Sequence, residues 1–160
     1  MVSAFVALTG CAGQRIARRV PSQAAYGAYL RGLVLERSSQ LPEALSAYQL
    51  ALEHDHRSPL LHVHVGATYV KLGQMDQALQ SFSKALAIDP NQPDALRWVA
   101  MLHTSQGEID KAVAAYERLL KLNATDPFVL STLADLYVLQ GSLPQAIELY
   151  RGLISEHGSS

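Results

Sequence analysis

A 34-residue period is the feature that most constrains the fold of this 160-residue chain. The period is marked by four alanines: Ala44, Ala78, Ala112 and Ala146. Four residues after each alanine there is an aromatic residue: Tyr48, Phe82, Tyr116 and Tyr150. Five residues before each there is a turn residue: Ser39, Gly73, Gly107 and Gly141. Twelve residues before each there is a small residue: Gly32, Gly66, Ala100 and Ala134. A period of this length is typical of stacked repeats, each of which is one supersecondary unit.

The spacing of apolar residues predicts two amphipathic helices of about 13 residues in each unit. The turn glycines can adopt the left-handed backbone conformation that ends a helix. Asp76 and Asp110 fall in the first turn of the second helices, where a carboxylate suits the helix dipole. We expect the small residues to let the two helices of a unit approach closely. We expect the aromatic residues to fill the space between neighbouring units.

This pattern resembles that of the tetratricopeptide repeat (TPR) family over Ala25 to Gly158. The resemblance implies an all-α fold, a right-handed superhelical solenoid of four helix-turn-helix repeats. The repeats would occupy residues 25–58, 59–92, 93–126 and 127–160. A signal segment at 1–10 and a tether at 11–24 would precede them.

Composition excludes several classes of function. Hydrophobic residues make up 49% of the chain and charged residues 17%, which is enough apolar material for a core. The 13 Lys and Arg residues nearly balance 14 Asp and Glu residues, so no nucleic-acid partner is predicted. A single cysteine, Cys11, excludes internal disulfides and CxxC sites.

No catalytic motif or metal site is expected either. The chain has no nucleophile elbow, P-loop or HExxH sequence, and we interpret it as non-enzymatic and free of cofactors. His54, His56, His62 and His64 lie close in sequence. His62 and His64 are about 200° apart on a helix and cannot share one face. We expect His62 to belong to the core and its neighbours to be solvated.

The TPR resemblance implies that partners bind in a concave groove lined by the first helix of each repeat. The groove is predicted to use the second, fifth, sixth, ninth and twelfth positions of each repeat. The residues expected to bind the partner are Tyr26, Tyr29, Leu33, Leu60, Val63, His64, Ala67, Arg97, Trp98, Met101, Phe128 and Asp135. About half of the residues at these positions are large and apolar, and an exposed apolar surface of this kind marks a binding site. The alternative is that some of them face each other and belong to the core.

Chaperone-binding TPR domains grip a carboxylate with Lys, Asn and Arg side chains at set groove positions. In repeats one to three, the matching positions here hold Tyr29, Leu33, His64, Asp94 and Trp98. None of these can grip a carboxylate in that way. The sequence therefore predicts an apolar helix or extended segment as the partner.

The N-terminal residues Leu8-Thr9-Gly10-Cys11 resemble the lipobox of bacterial lipoproteins. The resemblance implies lipidation of Cys11 as the only membrane attachment. Because Ala12 follows the cysteine, it also implies an outer-membrane lipoprotein facing the periplasm. The sequence departs from the family in lacking a basic region before a full-length apolar stretch, so we expect the natural start to lie upstream. The alternative is a cytoplasmic TPR segment of a longer protein, fused to an enzyme such as a glycosyltransferase or peptidase.

The last predicted helix, about Leu143 to Glu156, carries apolar residues that no later helix in this sequence would cover: Ile147, Tyr150, Leu153 and Ile154. We expect either that the natural chain continues beyond Ser160 or that the protein associates end to end.

Overall fold

The described part of the chain is a row of antiparallel helical hairpins. The structure, a computed structural model, describes residues 22–123 and 125–157, with side chains up to residue 154. These residues form eight helices: α1 (Gln23–Arg37), α2 (Leu41–His54), α3 (Pro59–Lys71), α4 (Met75–Ile88), α5 (Pro93–Ser105), α6 (Ile109–Leu122), α7 (Pro127–Gln140) and α8 (Leu143–His157). No strand occurs within the described ranges. The predicted all-α repeat solenoid is confirmed.

Capping side chains and prolines mark where the first helix of each repeat starts. The side chains of Ser22, Ser58, Gln92 and Asp126 each accept a hydrogen bond from a first-turn amide of a first helix. A proline opens α3, α5 and α7, where its missing amide hydrogen has no helical partner to lose.

The turn residue between the two helices of each hairpin has the predicted left-handed backbone. Its φ is 74° at Gly73 and Gly107 and 81° at Gly141. Ser39 holds the same place in the first hairpin with a φ of 60°, a conformation that a serine adopts less readily than glycine.

In the first two hairpins, the aromatic ring of the second helix lies against the glycine of the first helix. A Cβ atom on Gly32 would lie 2.4 Å from Cε1 of Tyr48, and one on Gly66 would lie 2.6 Å from Cε1 of Phe82. The period alanines Ala44, Ala78 and Ala112 are 0% exposed, which confirms the predicted register. The aromatic residues also pack against the next repeat, as predicted: Tyr48 clusters with Val65, and Phe82 with Ala95 and Leu102.

Neighbouring hairpins pack through the third, seventh and tenth positions of each following first helix. These residues are Leu61, Val65 and Thr68 in α3, then Ala95, Val99 and Leu102 in α5, then Val129, Leu133 and Leu136 in α7. All of them except Thr68 belong to apolar clusters that include residues of the preceding repeat's second helix. In three of these clusters the aromatic ring of that helix takes part. Each hairpin is therefore stabilised by its neighbours as well as by its own contacts.

None of the eight described helices combines the length and the apolar content needed to cross a lipid bilayer. The predictions for the lipobox and for Cys11 fall on residues outside the described range.

We predict that Gly32→Ala lowers the free energy of unfolding by about 1 to 3 kcal/mol. The added methyl group would overlap the ring of Tyr48, which is 0% exposed, so the ring or the two helices would have to shift. Gly27→Ala, in the same helix, is the control, because nothing lies within 4 Å of its Cβ position. That change should be neutral or stabilise by up to about 1 kcal/mol. Urea titration of the helical circular dichroism signal measures both, and equal effects would contradict the close-contact explanation.

Candidate partner-binding groove

The structure divides the predicted groove residues into three groups by exposure. Those exposed to solvent are Tyr26, Leu60, Met101, Phe128 and Asp135. Those half-buried are Tyr29, Leu33, His64, Ala67, Arg97 and Trp98. Val63 alone among the twelve is buried.

The assignment of Val63 to the groove surface is wrong. Its side chain is 6% exposed and packs in the core cluster that contains Phe82, Ala95 and Leu102. The same repeat position holds Arg97 in α5, whose longer side chain extends to Asp126. A short branched side chain at this position ends within the core and cannot meet a partner.

An apolar pocket of about 180 Å³ lies between the first turns of α1 and α3. Its walls are Ala25, Tyr26, Tyr29, Leu60 and Leu61, with Asp55 and Ser58 from the loop between the repeats. Tyr26 is 55% exposed and Leu60 45%, so both large side chains present apolar surface to solvent. This pocket can hold an apolar side chain, which supplies the main driving force for binding there.

Tyr29 also belongs to a cluster of three aromatic rings, one each from α1, α2 and α3. The centroid of the His64 ring lies 5.1 Å from that of Tyr48 and 5.2 Å from that of Tyr29. The Tyr29 hydroxyl is 3.3 Å from Nε2 of His64. The Tyr48 hydroxyl donates to Glu36 at 2.5 Å, and Nζ of Lys71 donates to the other carboxylate oxygen at 2.6 Å. Hydrogen bonds therefore connect the buried ring of Tyr48, in the core of the first repeat, with the charged side chains of Glu36 and Lys71 beside the groove.

The environment of the cluster fixes its charges. Burial favours the neutral form of Glu36, but hydrogen bonds from Lys71 and Tyr48 outweigh it and hold its pKa below the usual value. Burial lowers the pKa of His64, although Glu36 and Asp94 act in the opposite direction. Burial, together with the bond to Glu36, raises the pKa of Tyr48. At neutral pH Glu36 is therefore ionised and His64 is neutral, so the carboxylate balances the charge of Lys71.

Sequence reasoning missed this cluster, although a signal for it was present. Tyr29 and His64 are 35 residues apart, and so are Glu36 and Lys71. In this pair of repeats, side chains of adjacent first helices therefore meet when they are 35 residues apart, which is one period plus one residue. Opposite charges at that separation could have indicated the ion pair.

Trp98 and Arg97, on α5, each contact a residue outside the predicted groove set. The indole of Trp98 stacks on the fully buried ring of Phe82, with centroids 5.8 Å apart and planes 8° apart. Arg97 Nη2 donates to Asp126 at 2.9 Å. A Trp98→Ala change therefore removes a contact of the core as well as groove surface, and it cannot isolate binding.

The histidines are separated as the helical angle indicated. His62 is half-buried rather than part of the core, and its Nε2 lies 3.3 Å from the carbonyl oxygen of His56. Burial lowers the pKa of His62. No group of three or more His, Cys, Asp or Glu side chains suited to a metal ion occurs in the described ranges.

A row of two-helix units, in which the second helix of one unit packs on the first helix of the next, defines a helical repeat protein of the solenoid class. The family model for the tetratricopeptide repeat matches residues 69–131 and 103–159, which together cover more than half of the chain. The chain belongs to the tetratricopeptide repeat family.

Solved structures share this fold at low sequence identity. A tetratricopeptide repeat protein from Parabacteroides merdae superposes with a TM-score of 0.78 and 22% identity, over 86% of this chain and 55% of that one. The first TPR of Spaghetti (RPAP3), bound to the HSP90 peptide SRMEEVD, gives 0.69 and 20%, over 76% and 99%. YrrB, a TPR protein with an unusual peptide-binding site, gives 0.68 and 20%, over 85% and 70%. No curated protein matches the sequence significantly.

We predict that Glu36→Gln lowers the free energy of unfolding at pH 7 by about 1 to 2 kcal/mol, since it weakens two hydrogen bonds to a charged group. Because folding lowers the pKa of Glu36, its stabilisation is present above the ordinary carboxyl pKa and is lost as the pH falls through the lower folded-state value. The difference between the variant and the wild type should therefore shrink in acid. Urea unfolding at pH 7 and at successively lower pH tests this.

Glu53→Gln, at an exposed position of α2, is the control and should change stability by less than about 0.5 kcal/mol. A difference that stays constant with pH would show that Glu36 acts by packing alone.

Proposed function

We propose that this protein is a non-enzymatic scaffold that binds an apolar peptide or helix of a partner protein along its first helices. The observation that carries the proposal is the apolar pocket between α1 and α3, with Tyr26 and Leu60 at its mouth. The exposed side chains of Met101 and Phe128 extend apolar surface along α5 and α7. Aromatic residues and methionine are enriched where proteins bind one another.

The charges of the groove support an apolar partner rather than an acidic one. Lys71 is neutralised by Glu36, and Arg97 by Asp126, so both cations already have carboxylate partners. The peptide bound to Spaghetti, SRMEEVD, carries three acidic side chains. A segment like it would have to compete with these internal carboxylates, whereas an apolar side chain fills the α1–α3 pocket without disturbing them. The peptide bound to Spaghetti and the peptide-binding site of YrrB support a peptide as the kind of ligand.

We further propose that the scaffold acts in the bacterial cell envelope as a lipoprotein. The support is the resemblance of Leu8-Thr9-Gly10-Cys11 to a lipobox, followed by the polar stretch that precedes α1. A lipid on Cys11 would attach the repeats to the outer membrane and leave their groove open to partners in the periplasm.

The groove proposal predicts that Leu60→Asp weakens binding of an apolar peptide by at least about tenfold. Peptides selected from a displayed random library against the purified protein are the probe, and we expect the selected sequences to share a large apolar residue. Asp94 holds the same repeat position in α5, so an aspartate at residue 60 is compatible with the helix.

The matched control for this experiment is Leu50→Asp. Leu50 lies on α2 and is 43% exposed, against 45% for Leu60, but it does not line the pocket. Titration by fluorescence anisotropy measures both variants. Equal loss of binding in the two variants, or selected peptides without a shared apolar residue, would contradict the proposal.

The lipoprotein proposal predicts that Cys11→Ser blocks processing. Expressed in a bacterium with a complete signal peptide ahead of residue 1, the wild-type chain should incorporate labelled fatty acid and fractionate with the outer membrane. The variant should accumulate as unlabelled precursor, because serine has no thiol to accept the lipid. Recovery of the wild-type protein wholly in the cytosol would contradict the proposal.

A further inference from the structure

One charged side chain, Asp55, lies in the wall of the apolar pocket between α1 and α3. It is half-buried at the C-terminal end of α2, and its backbone carbonyl accepts a hydrogen bond from the amide of Ser58. Its carboxylate forms no hydrogen bond or ion pair with any residue that the structure describes. Arg57, two residues later, is exposed, does not line the pocket and forms no ion pair with those residues either. The pocket therefore combines an apolar wall with an uncompensated negative charge.

The residues at the same position in the next two repeats use their side chains to shape the loop. An oxygen of the Asp89 carboxylate accepts a hydrogen bond from the amide of Asn91 at 3.0 Å. The side-chain oxygen of Asn123 accepts one from the amide of Thr125 at 3.4 Å. A bond of this kind, to the backbone two residues on, stabilises a turn. Asp55 makes no such bond, so its loop forms without the carboxylate, which is left beside the pocket.

A second unpaired carboxylate lies on the groove, at the exposed residue Asp94 in the first turn of α5. Arg97 is one helical turn away but donates to Asp126 at 2.9 Å. Lys71 of α3 donates to Glu36 at 2.6 Å. Both cations of the groove are therefore paired with other carboxylates, and the charge that remains unpaired there is negative.

The two carboxylates are connected through a shared neighbour. Tyr29, in the pocket wall, has its hydroxyl 3.3 Å from Nε2 of His64. Burial lowers the pKa of His64, and the nearby negative charge of Asp94 acts in the opposite direction. The unpaired negative charge therefore extends from the pocket across α3 to α5.

This charge affects what the pocket can bind, because a partner that fills the pocket also covers Asp55. A purely apolar segment would remove water from the carboxylate without replacing it, and burial of an unpaired charge is costly. A lysine or arginine beside the apolar side chain would instead form a charge-assisted hydrogen bond with Asp55. Complementary charge of this kind contributes to the choice of partner more than to raw affinity.

We propose that the partner segment carries a lysine or arginine within about two residues of the apolar side chain that fills the α1–α3 pocket, a spacing that places both on one side of an extended chain. The cation pairs with Asp55, and Asp94 attracts further positive charge on the partner. The inference rests on the proposed function, in which a partner protein occupies this pocket, and it specifies the chemistry of that partner as apolar and basic.

The probes are peptides selected from a displayed random library against the full chain. We expect them to share a lysine or arginine next to the common apolar residue. One selected peptide is labelled with fluorescein, together with a copy in which that cation is replaced by glutamine. Fluorescence anisotropy should show that the wild-type protein binds the glutamine copy about fivefold more weakly. The Asp55→Asn protein should bind the two peptides equally.

The matched control is Asp89→Asn, at the same repeat position but outside the pocket wall. Asn123 shows that asparagine fits this position, so both variants should fold. Asp89→Asn should keep the fivefold preference, and Asp94→Asn should reduce it. Selected peptides without a shared cation, or an equal preference in Asp55→Asn and wild type, would overturn the inference.

A further variant, Leu60→Asn, separates this inference from the proposed function. It removes apolar wall without adding charge and should weaken both peptides. If it does so while the wild type binds both peptides equally, only the inference fails. If it has no effect on either peptide, the proposed function fails.

The rival occupant is the chain's own basic stretch, which holds Arg15, Arg18 and Arg19. The full chain with all three changed to glutamine should bind the labelled peptide as the wild type does. Tighter binding would show that this stretch competes for the carboxylates, and it would overturn the assignment of the site to a partner.

Discussion

The packing of an aromatic ring against a glycine holds the two helices of the first hairpin, and of the second, close together. Tyr48 on Gly32 and Phe82 on Gly66 show the contact, in which even one added methyl group would overlap the ring. The ring is held between the two helices of its own repeat and its remaining edge meets the next repeat. Because the contact fixes the rotation of the first helix about its axis, it also decides which of that helix's residues face the groove.

The same contact links the core to the proposed binding surface. The buried ring of Tyr48 ends in a hydroxyl that reaches Glu36, and Glu36 in turn holds Lys71 of the second repeat. The cations Lys71 and Arg97 beside the groove are thus paired with carboxylates of the protein itself, and the surface that we propose for a partner includes large exposed apolar side chains. An interface built in this way gains affinity from burial of apolar surface rather than from ion pairing.

The sequence by itself determined the fold, because the 34-residue period records contacts that recur in every repeat. The burial of Ala78 and Ala112, the left-handed glycines and the eight helices follow from it. The tertiary structure alone decided which of the predicted groove residues are buried and which are exposed, since positions that are equivalent in the period differ in side-chain length. Val63 ends in the core, whereas Arg97 at the same position reaches Asp126. Contacts between side chains of adjacent helices, such as the one between Glu36 and Lys71, depend on the angle between hairpins, which a period along the chain does not contain.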